Sequence, residues 1–121
     1  MVAALAGFPD NVLAFSSQGR VTKADYDDIL IPAVRSILQR HRKVRLYYET
    51  EGDVVSIEPS AIWEDVTLGL KSITHWERIA IVTDIEWLVR AGLFFGSLMP
   101  WPMRCFPKTE AAQARAWISA G

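Results

Sequence analysis

The sequence predicts an α/β fold: a mixed, mostly parallel five-stranded sheet with an N-terminal β-hairpin and four helices. Three observations carry the prediction. Ile79-Ala80-Ile81-Val82 is apolar at consecutive positions, as in strands buried on both faces of a parallel sheet. Thr83 and Asp84 follow at once; such residues satisfy the free N–H groups of a helix that opens there, and Glu86 suits its positive end. Along the rest of the chain the periodicity switches repeatedly between alternating and helical, in the order β-β-α-β-α-β-α-β-α, which is how crossover-built sheets read.

Taken in order, Val2–Ala6 and Val12–Ser17 are short strands joined by Gly7-Phe8-Pro9-Asp10-Asn11, the residue types that turns need. Gly19 breaks the second strand. Thr22 and Asp25 approximate a capping box, and Tyr26, Ile29, Leu30, Ala33, Val34, Ile37 and Leu38 then recur at helical spacing. Pro32 lies inside that pattern and predicts one bent helix. Val44, Leu46 and Tyr48 alternate with Arg45, Tyr47 and Glu49, the period of a half-buried strand, with Thr50–Asp53 as a loop after it. A second helix is expected from Pro59 and Ser60 to about Ile73, with Gly69 at a close contact. A third follows from about Ile85 to Phe95. Met103–Phe106 is the last strand, and Thr109 caps a terminal helix.

The bulk numbers bound the function. At 121 residues the chain reads as one domain, 1–121, able to bury about two-thirds of its unfolded surface. Half of its residues are hydrophobic and its mean hydropathy is +0.13, so either the core is unusually complete or some apolar surface meets a partner. Thirteen basic against fourteen acidic residues leave a net charge of -1, without the electrostatic footprint of a nucleic-acid-binding protein. The basic run Arg40-His41-Arg42-Lys43 falls at a predicted helix end, where cations complement the dipole. A lone cysteine, Cys105, excludes an internal disulfide and points to a reducing compartment. Met1–Ala6 lacks the basic lead of a secretory leader. The apolar region Ala91–Met103 is too short to span a bilayer and is broken by Pro100 and Pro102. The expected location is cytoplasmic, with peripheral membrane attachment as the alternative.

Several stretches taken together carry a family resemblance. Trp63-Glu64-Asp65, Leu68-Gly69-Leu70-Lys71, Trp76 through Asp84, and Phe95-Gly96-Ser97-Leu98-Met99-Pro100 resemble the bacterial SpoIIAA-like proteins, also described as STAS/SEC14-domain proteins. Asp25-Tyr26 and Ile31-Pro32-Ala33 fit the same pattern. The resemblance covers nearly the whole chain. It implies a βα superhelix with strands in largely sequential order and helices mainly on one side, and an analogy to both anti-sigma-factor antagonists and lipid carriers. One departure matters. Those antagonists carry a phosphorylatable serine in an Asp-Ser-Ser-Gly-like turn opening the second helix, whereas this chain reads Val55-Ser56-Ile57-Glu58-Pro59-Ser60-Ala61. A phosphorylation switch is therefore not expected.

Candidate sites are few. Ligands of open parallel sheets sit outside the carboxyl ends of the strands, where Glu49–Val55, Thr83–Trp87 and Ser16 and Ser17 should converge. Asp84 there is read as a helix cap, and Glu49, Glu51 and Asp53 as a solvated turn. Ser56, Ser60 and Cys105 lack the glycine-flanked elbow of an activated nucleophile, and no metal-ligand spacing or phosphate-binding glycine loop occurs. No catalytic residue, metal or cofactor is assigned. The remaining feature is Leu93-Phe94-Phe95-Gly96-Ser97-Leu98-Met99-Pro100-Trp101-Pro102-Met103, read as a helix end plus loop whose large residues either cap the core over the third helix, form a subunit or partner interface, or meet lipid. Trp87, Phe94, Phe95, Leu98, Met99 and Trp101 are the candidate ligand- or partner-binding residues. The reading is a non-catalytic binding or regulatory module that self-associates as a homo-oligomer, a dimer in the first instance. An apolar or lipid ligand of a small carrier is the alternative, and an enzyme comes third.

Overall fold

The computed structural model describes residues 2–21, 24, 28–29, 31–57, 76–98 and 101–120. Five strands, β1 (Val2–Ala4), β2 (Val12–Val21), β3 (Val44–Ile57), β4 (Trp76–Val82) and β5 (Met103–Phe106), form one sheet in sequential order. β1 pairs antiparallel with β2, as the hairpin requires, and the other three pairings are parallel. Three α-helices are described, where the sequence predicts four: α1 (Ile31–Arg40), α2 (Glu86–Leu98) and α3 (Ala111–Ser119). The helix expected between Pro59 and Ile73 lies outside the described residues, as do Thr22 and Asp25.

Sequential parallel strands need crossovers of one hand, which places successive crossover helices on the same face. That face carries Leu13, Phe15, Val44 and Tyr48 from the sheet, with Val34 and Ile37 from α1 packed on them. α2 packs further along it, over Ile81 and Cys105. The terminal helix is no crossover, and it takes the opposite face, where Ala114 and Ile118 pack against Val12, Ala14, Tyr47, Ala80, Val82 and Phe106. β3 is therefore covered on both sides, not half-buried as its alternation suggests. Val44 and Tyr47 are fully buried and Arg45 is only 4% exposed.

The partners of Arg45 explain how a charged residue tolerates that position. Its guanidinium donates to the carbonyl oxygens of Ile118 (2.8 Å) and Ala120 (2.5 Å) and to Glu77 Oε1 (2.8 Å). Arg78, opposite it on β4, donates to Trp117 O (2.8 Å) and Ala120 O (2.9 Å). The last carbonyls of a helix have no partners within it. Here two arginines from the sheet supply the donors and neutralise the negative end of the α3 dipole.

Several boundaries differ from the sequence expectation for identifiable reasons. The described α-helix runs from Ile31, with Pro32 near its start, and Asp28 and Ile29 before it are π-helical. Thr50–Asp53 is not a loop. β3 runs through it to Ile57, and Gly52 (φ 65°) with Gly19 (φ 68°) on β2 absorbs the irregularity in their pairing. Both glycines mark bulges rather than ends, because left-handed backbone re-aims a strand without stopping it. Ser56 accordingly lies in β3, paired with Arg20, while Ser60 is outside the described residues. Thr109 does not cap α3. It sits within a 3-10 turn, Lys108–Glu110, and Glu110 occupies the cap position without a side-chain hydrogen bond.

The staple on α3 is testable. Arg45→Met should cost about 3 kcal/mol in urea unfolding, because helix-end carbonyls and the Glu77 carboxylate lose their buried partner. Arg78→Met, at a half-buried site, should cost about 1 kcal/mol. The hydrogen bond from Arg45 holds the Glu77 carboxyl below its ordinary range. Its contribution is then present above the unfolded-state value and disappears as pH falls through the lower folded-state value. Glu77→Gln should accordingly be destabilising at neutral pH, and its cost should shrink as pH falls below the unfolded-state carboxyl value; a cost that does not change with pH contradicts this assignment.

Candidate functional site

Two regions concentrate the candidate residues: the carboxyl edge of the sheet and the helix α2. At the edge, side chains from neighbouring strands converge as parallel topology dictates. Ser17 and Tyr48 share a hydrogen bond between buried hydroxyls. Thr50 Oγ1 donates to Thr83 Oγ1 (2.9 Å), which itself accepts the Ile85 N–H (3.1 Å). Asp84 accepts the Lys108 N–H (3.0 Å), so it ties the end of β4 to the turn after β5 rather than capping α2. The Lys108 ammonium reaches the carbonyl of Thr50. Tyr47 donates to Glu49 (2.7 Å), and burial together with that carboxylate pushes its hydroxyl up to about 12.

These groups satisfy one another. Buried hydroxyls in closed pairs fix the ends of strands instead of reaching outward for a ligand. Glu49, Glu51 and Asp53 lie along a strand, not in a turn, and no group of three or more metal-ligating side chains gathers among the described residues. Burial pushes the Cys105 thiol up, the opposite of what a nucleophilic thiolate needs. The basic run is likewise engaged: Arg40 and His41 hold Asp10 at 2.9 and 3.0 Å, pinning the β1–β2 turn to the end of α1. A groove of about 590 Å³ runs along Leu38–Lys43.

The second region is different in kind. Among the described residues, the large hydrophobic side chains most exposed to solvent are Trp87 (45%), Leu93 (59%), Phe94 (62%) and Leu98 (63%), all on α2. The sequence pattern ends this helix at about Phe95 and puts Leu98 in a loop; the helix continues through it. The reason lies on the other side of the helix. A Cβ on Gly92 would stand 3.0 Å from Cys105 Sγ and 3.1 Å from Ile81 Cδ1, and one on Gly96 would stand 3.3 Å from Met103 Cβ. α2 lies so close to β4 and β5 that its sheet-facing side is built from glycines, with Leu88 buried beside them. At 100° per residue, that is 3.6 residues per turn, Trp87, Ala91, Phe94 and Leu98 fall in one stripe along the outward side. Glu86, Arg90 and Ser97 give the helix a polar side next to this stripe, so the stripe is apolar surface beyond what an amphipathic helix leaves in water.

Of the six residues singled out from the sequence, the structure brings Trp87, Phe94 and Leu98 together in that stripe. Phe95 is in the same helix with its side chain outside the described set, and Met99 is outside the described residues. Trp101 is half-buried, and its indole N–H is enclosed without a hydrogen-bond partner among the described residues. Leu93, likewise exposed, lies on another side of α2 and was not singled out. The signal that could have found it is the Gly92–Gly96 spacing, which marks the side of a helix that approaches another backbone closely and so tells which residues point away. Gly92→Val should cost about 1–3 kcal/mol in urea unfolding by overpacking this contact; a neutral result would mean that the helix sits less tightly on the sheet.

The described helices include none long and apolar enough to cross a membrane. No curated protein matches the chain. Among solved structures, an uncharacterised protein from Shewanella loihica PV-4 with a SpoIIAA-like fold is similar over 98% of this chain and 92% of its own, with a TM-score of 0.72 and 22% identity. That likeness supports the architecture, a mixed sheet in sequential order with crossover helices on one face. The family model described as SpoIIAA-like matches residues 12–119, from the start of β2 to the end of α3, and the chain therefore belongs to the SpoIIAA-like family.

Proposed function

We propose that this protein is a non-catalytic binding and regulatory module that self-associates through the outward stripe of α2. The observation that carries the reading is the exposure of Trp87, Phe94 and Leu98 on one side of a helix whose other side is glycine against the sheet. Aromatic side chains carry ~150–250 Å² each, so the stripe leaves on the order of 300 Å² of apolar surface per protomer in water. At ~25 cal/mol per Å², covering it in two copies is worth about 15 kcal/mol, against association costs of ~4–15 kcal/mol. The balance lies between about 0 and 11 kcal/mol, which allows a reversible dimer. The stripe is the centre of such an interface, since a standard one covers about 800 Å² per partner.

A lipid carrier would use an enclosed apolar cavity. The apolar surface described here is instead a stripe on the outside of a helix, and the groove along Leu38–Lys43 is edged by cationic residues. A second copy of the chain, which brings an identical apolar stripe, is the occupant that matches it. Sedimentation velocity on the wild type should show a monomer–dimer equilibrium across the micromolar range. The double variant Trp87→Ser/Leu98→Ser should be monomeric at all of those concentrations while keeping its helical circular dichroism. A monomeric wild type that co-sediments with anionic liposomes would replace this reading with membrane attachment; a double variant that still dimerises would move the interface elsewhere.

A further inference from the structure

We propose that the groove at the end of α1 is a binding site for a phosphomonoester, held by Arg42 and Lys43. This site is separate from the stripe on α2 and does not depend on self-association. The groove, about 590 Å³, is lined among the described residues by Leu38 through Lys43, and its size admits a small molecule. Four consecutive basic side chains, Arg40 to Lys43, edge it, and only the first two are spent on a partner. Nε and Nη2 of Arg40 donate to the two carboxylate oxygens of Asp10 at 2.9 and 3.1 Å, and its Nη1 donates to Ser36 Oγ at 3.1 Å. His41 Nε2 lies 3.0 Å from Asp10 Oδ2. Arg42 and Lys43 are exposed, and neither side chain makes an ion pair among the described residues.

A helix C-terminus attracts cations through its dipole alone, but the end of α1 has its own. Arg40 sits in the last turn, and the His41 N–H continues the ladder to Ile37 O at 2.8 Å. Arg42 and Lys43 lie past that turn, between the helix and β3. Nor is an acid across the sheet free for them: Glu77, whose carboxyl Lys43 helps to hold low, is taken by Arg45 at 2.8 Å. Charge at this end of the sheet is one-sided as a result. Arg40, Arg42, Lys43, Arg45 and Arg78 gather near the amino ends of β3 and β4, against Asp10 and Glu77 as the described carboxylates there, in a chain whose net charge is -1. A concave surface focuses such a field. A phosphomonoester brings about two negative charges and three acceptor oxygens at neutral pH. The planar fork of Arg42 and the ammonium of Lys43 can share those oxygens, whereas a carboxylate would occupy the fork alone. Leu38, half-buried in the lining, offers an apolar contact to whatever carries the phosphate.

Two probes with the same headgroup chemistry separate a soluble source from a lipid one: glycerol 3-phosphate in solution, and phosphatidic acid in phosphatidylcholine vesicles. In amide NMR titrations with glycerol 3-phosphate, saturable shifts should concentrate at Gln39 to Val44. The double variant Arg42→Gln/Lys43→Gln should keep the wild-type circular dichroism, since both positions are exposed, and should weaken binding at least about tenfold. Arg90→Gln, which removes a cation from α2, should change it less than about twofold. Saturation in solution identifies a soluble ligand. Co-sedimentation that requires phosphatidic acid, is not matched by phosphatidylserine and is lost in the double variant identifies a lipid headgroup; either result supports the site. Shifts that spread evenly to Arg78, Arg104 and Arg115 without saturating mean counter-ion binding only and overturn the proposal. Wild-type binding by the folded double variant overturns it too, as does a wild type that ignores both probes.

Discussion

The distance between α2 and the sheet is the constraint from which the candidate site follows. Gly92 and Gly96 have no Cβ to hold the helix off, and a methyl group at either position would press into Cys105, Ile81 or Met103. Close packing of this kind brings more atoms into contact, with Leu88 buried beside the two glycines. Trp87, Leu93, Phe94 and Leu98 lie on the remaining sides of the helix, exposed. An ordinary amphipathic helix buries its large residues and wets its polar ones; α2 sets glycines against the sheet and presents Trp87, Phe94 and Leu98 to solvent.

The opposite face of the sheet solves a different problem. α3 is only nine residues long, too short to be stable by itself, and it is held by packing and by the arginines beneath its end. Arg45 and Arg78 donate to its terminal carbonyls, and Arg104 lies over the rings of Phe106 and Trp117. Charge on that face is thus used internally, as are the hydroxyls at the carboxyl edge. The large apolar area that still faces solvent among the described residues sits on α2, and this area is what supports the binding role we propose.

Much of this architecture is legible in the residue pattern. The Ile79–Val82 run marks a central parallel strand because both of its faces have to be apolar, and the turn residues after Ala6 mark the hairpin. Two features hide the rest. Alternation along β3 looks half-buried because Arg45, Tyr47 and Glu49 carry polar tips; no local pattern reveals that a helix end 73 residues away supplies a carbonyl for Arg45. Gly52 and Gly19 look like stops because a bulge and a turn both draw on left-handed glycine, and only the pairing partner distinguishes them. At the site the aromatic content is plain but its placement is not. Pro100 suggests an early helix end, and Gly96, which with Gly92 turns Phe94 and Leu98 outward, looks in the sequence like a loop residue.

The central claim is that the stripe on α2 is covered by the same stripe of a second copy. Isotope-filtered nuclear Overhauser spectroscopy on an equimolar mixture of labelled and unlabelled protein tests it most directly, because it reports only contacts between different molecules. The account predicts intermolecular cross-peaks that involve the Trp87 indole and the Leu98 methyls. Intermolecular cross-peaks confined to other surfaces, or none at concentrations well above micromolar, would contradict it.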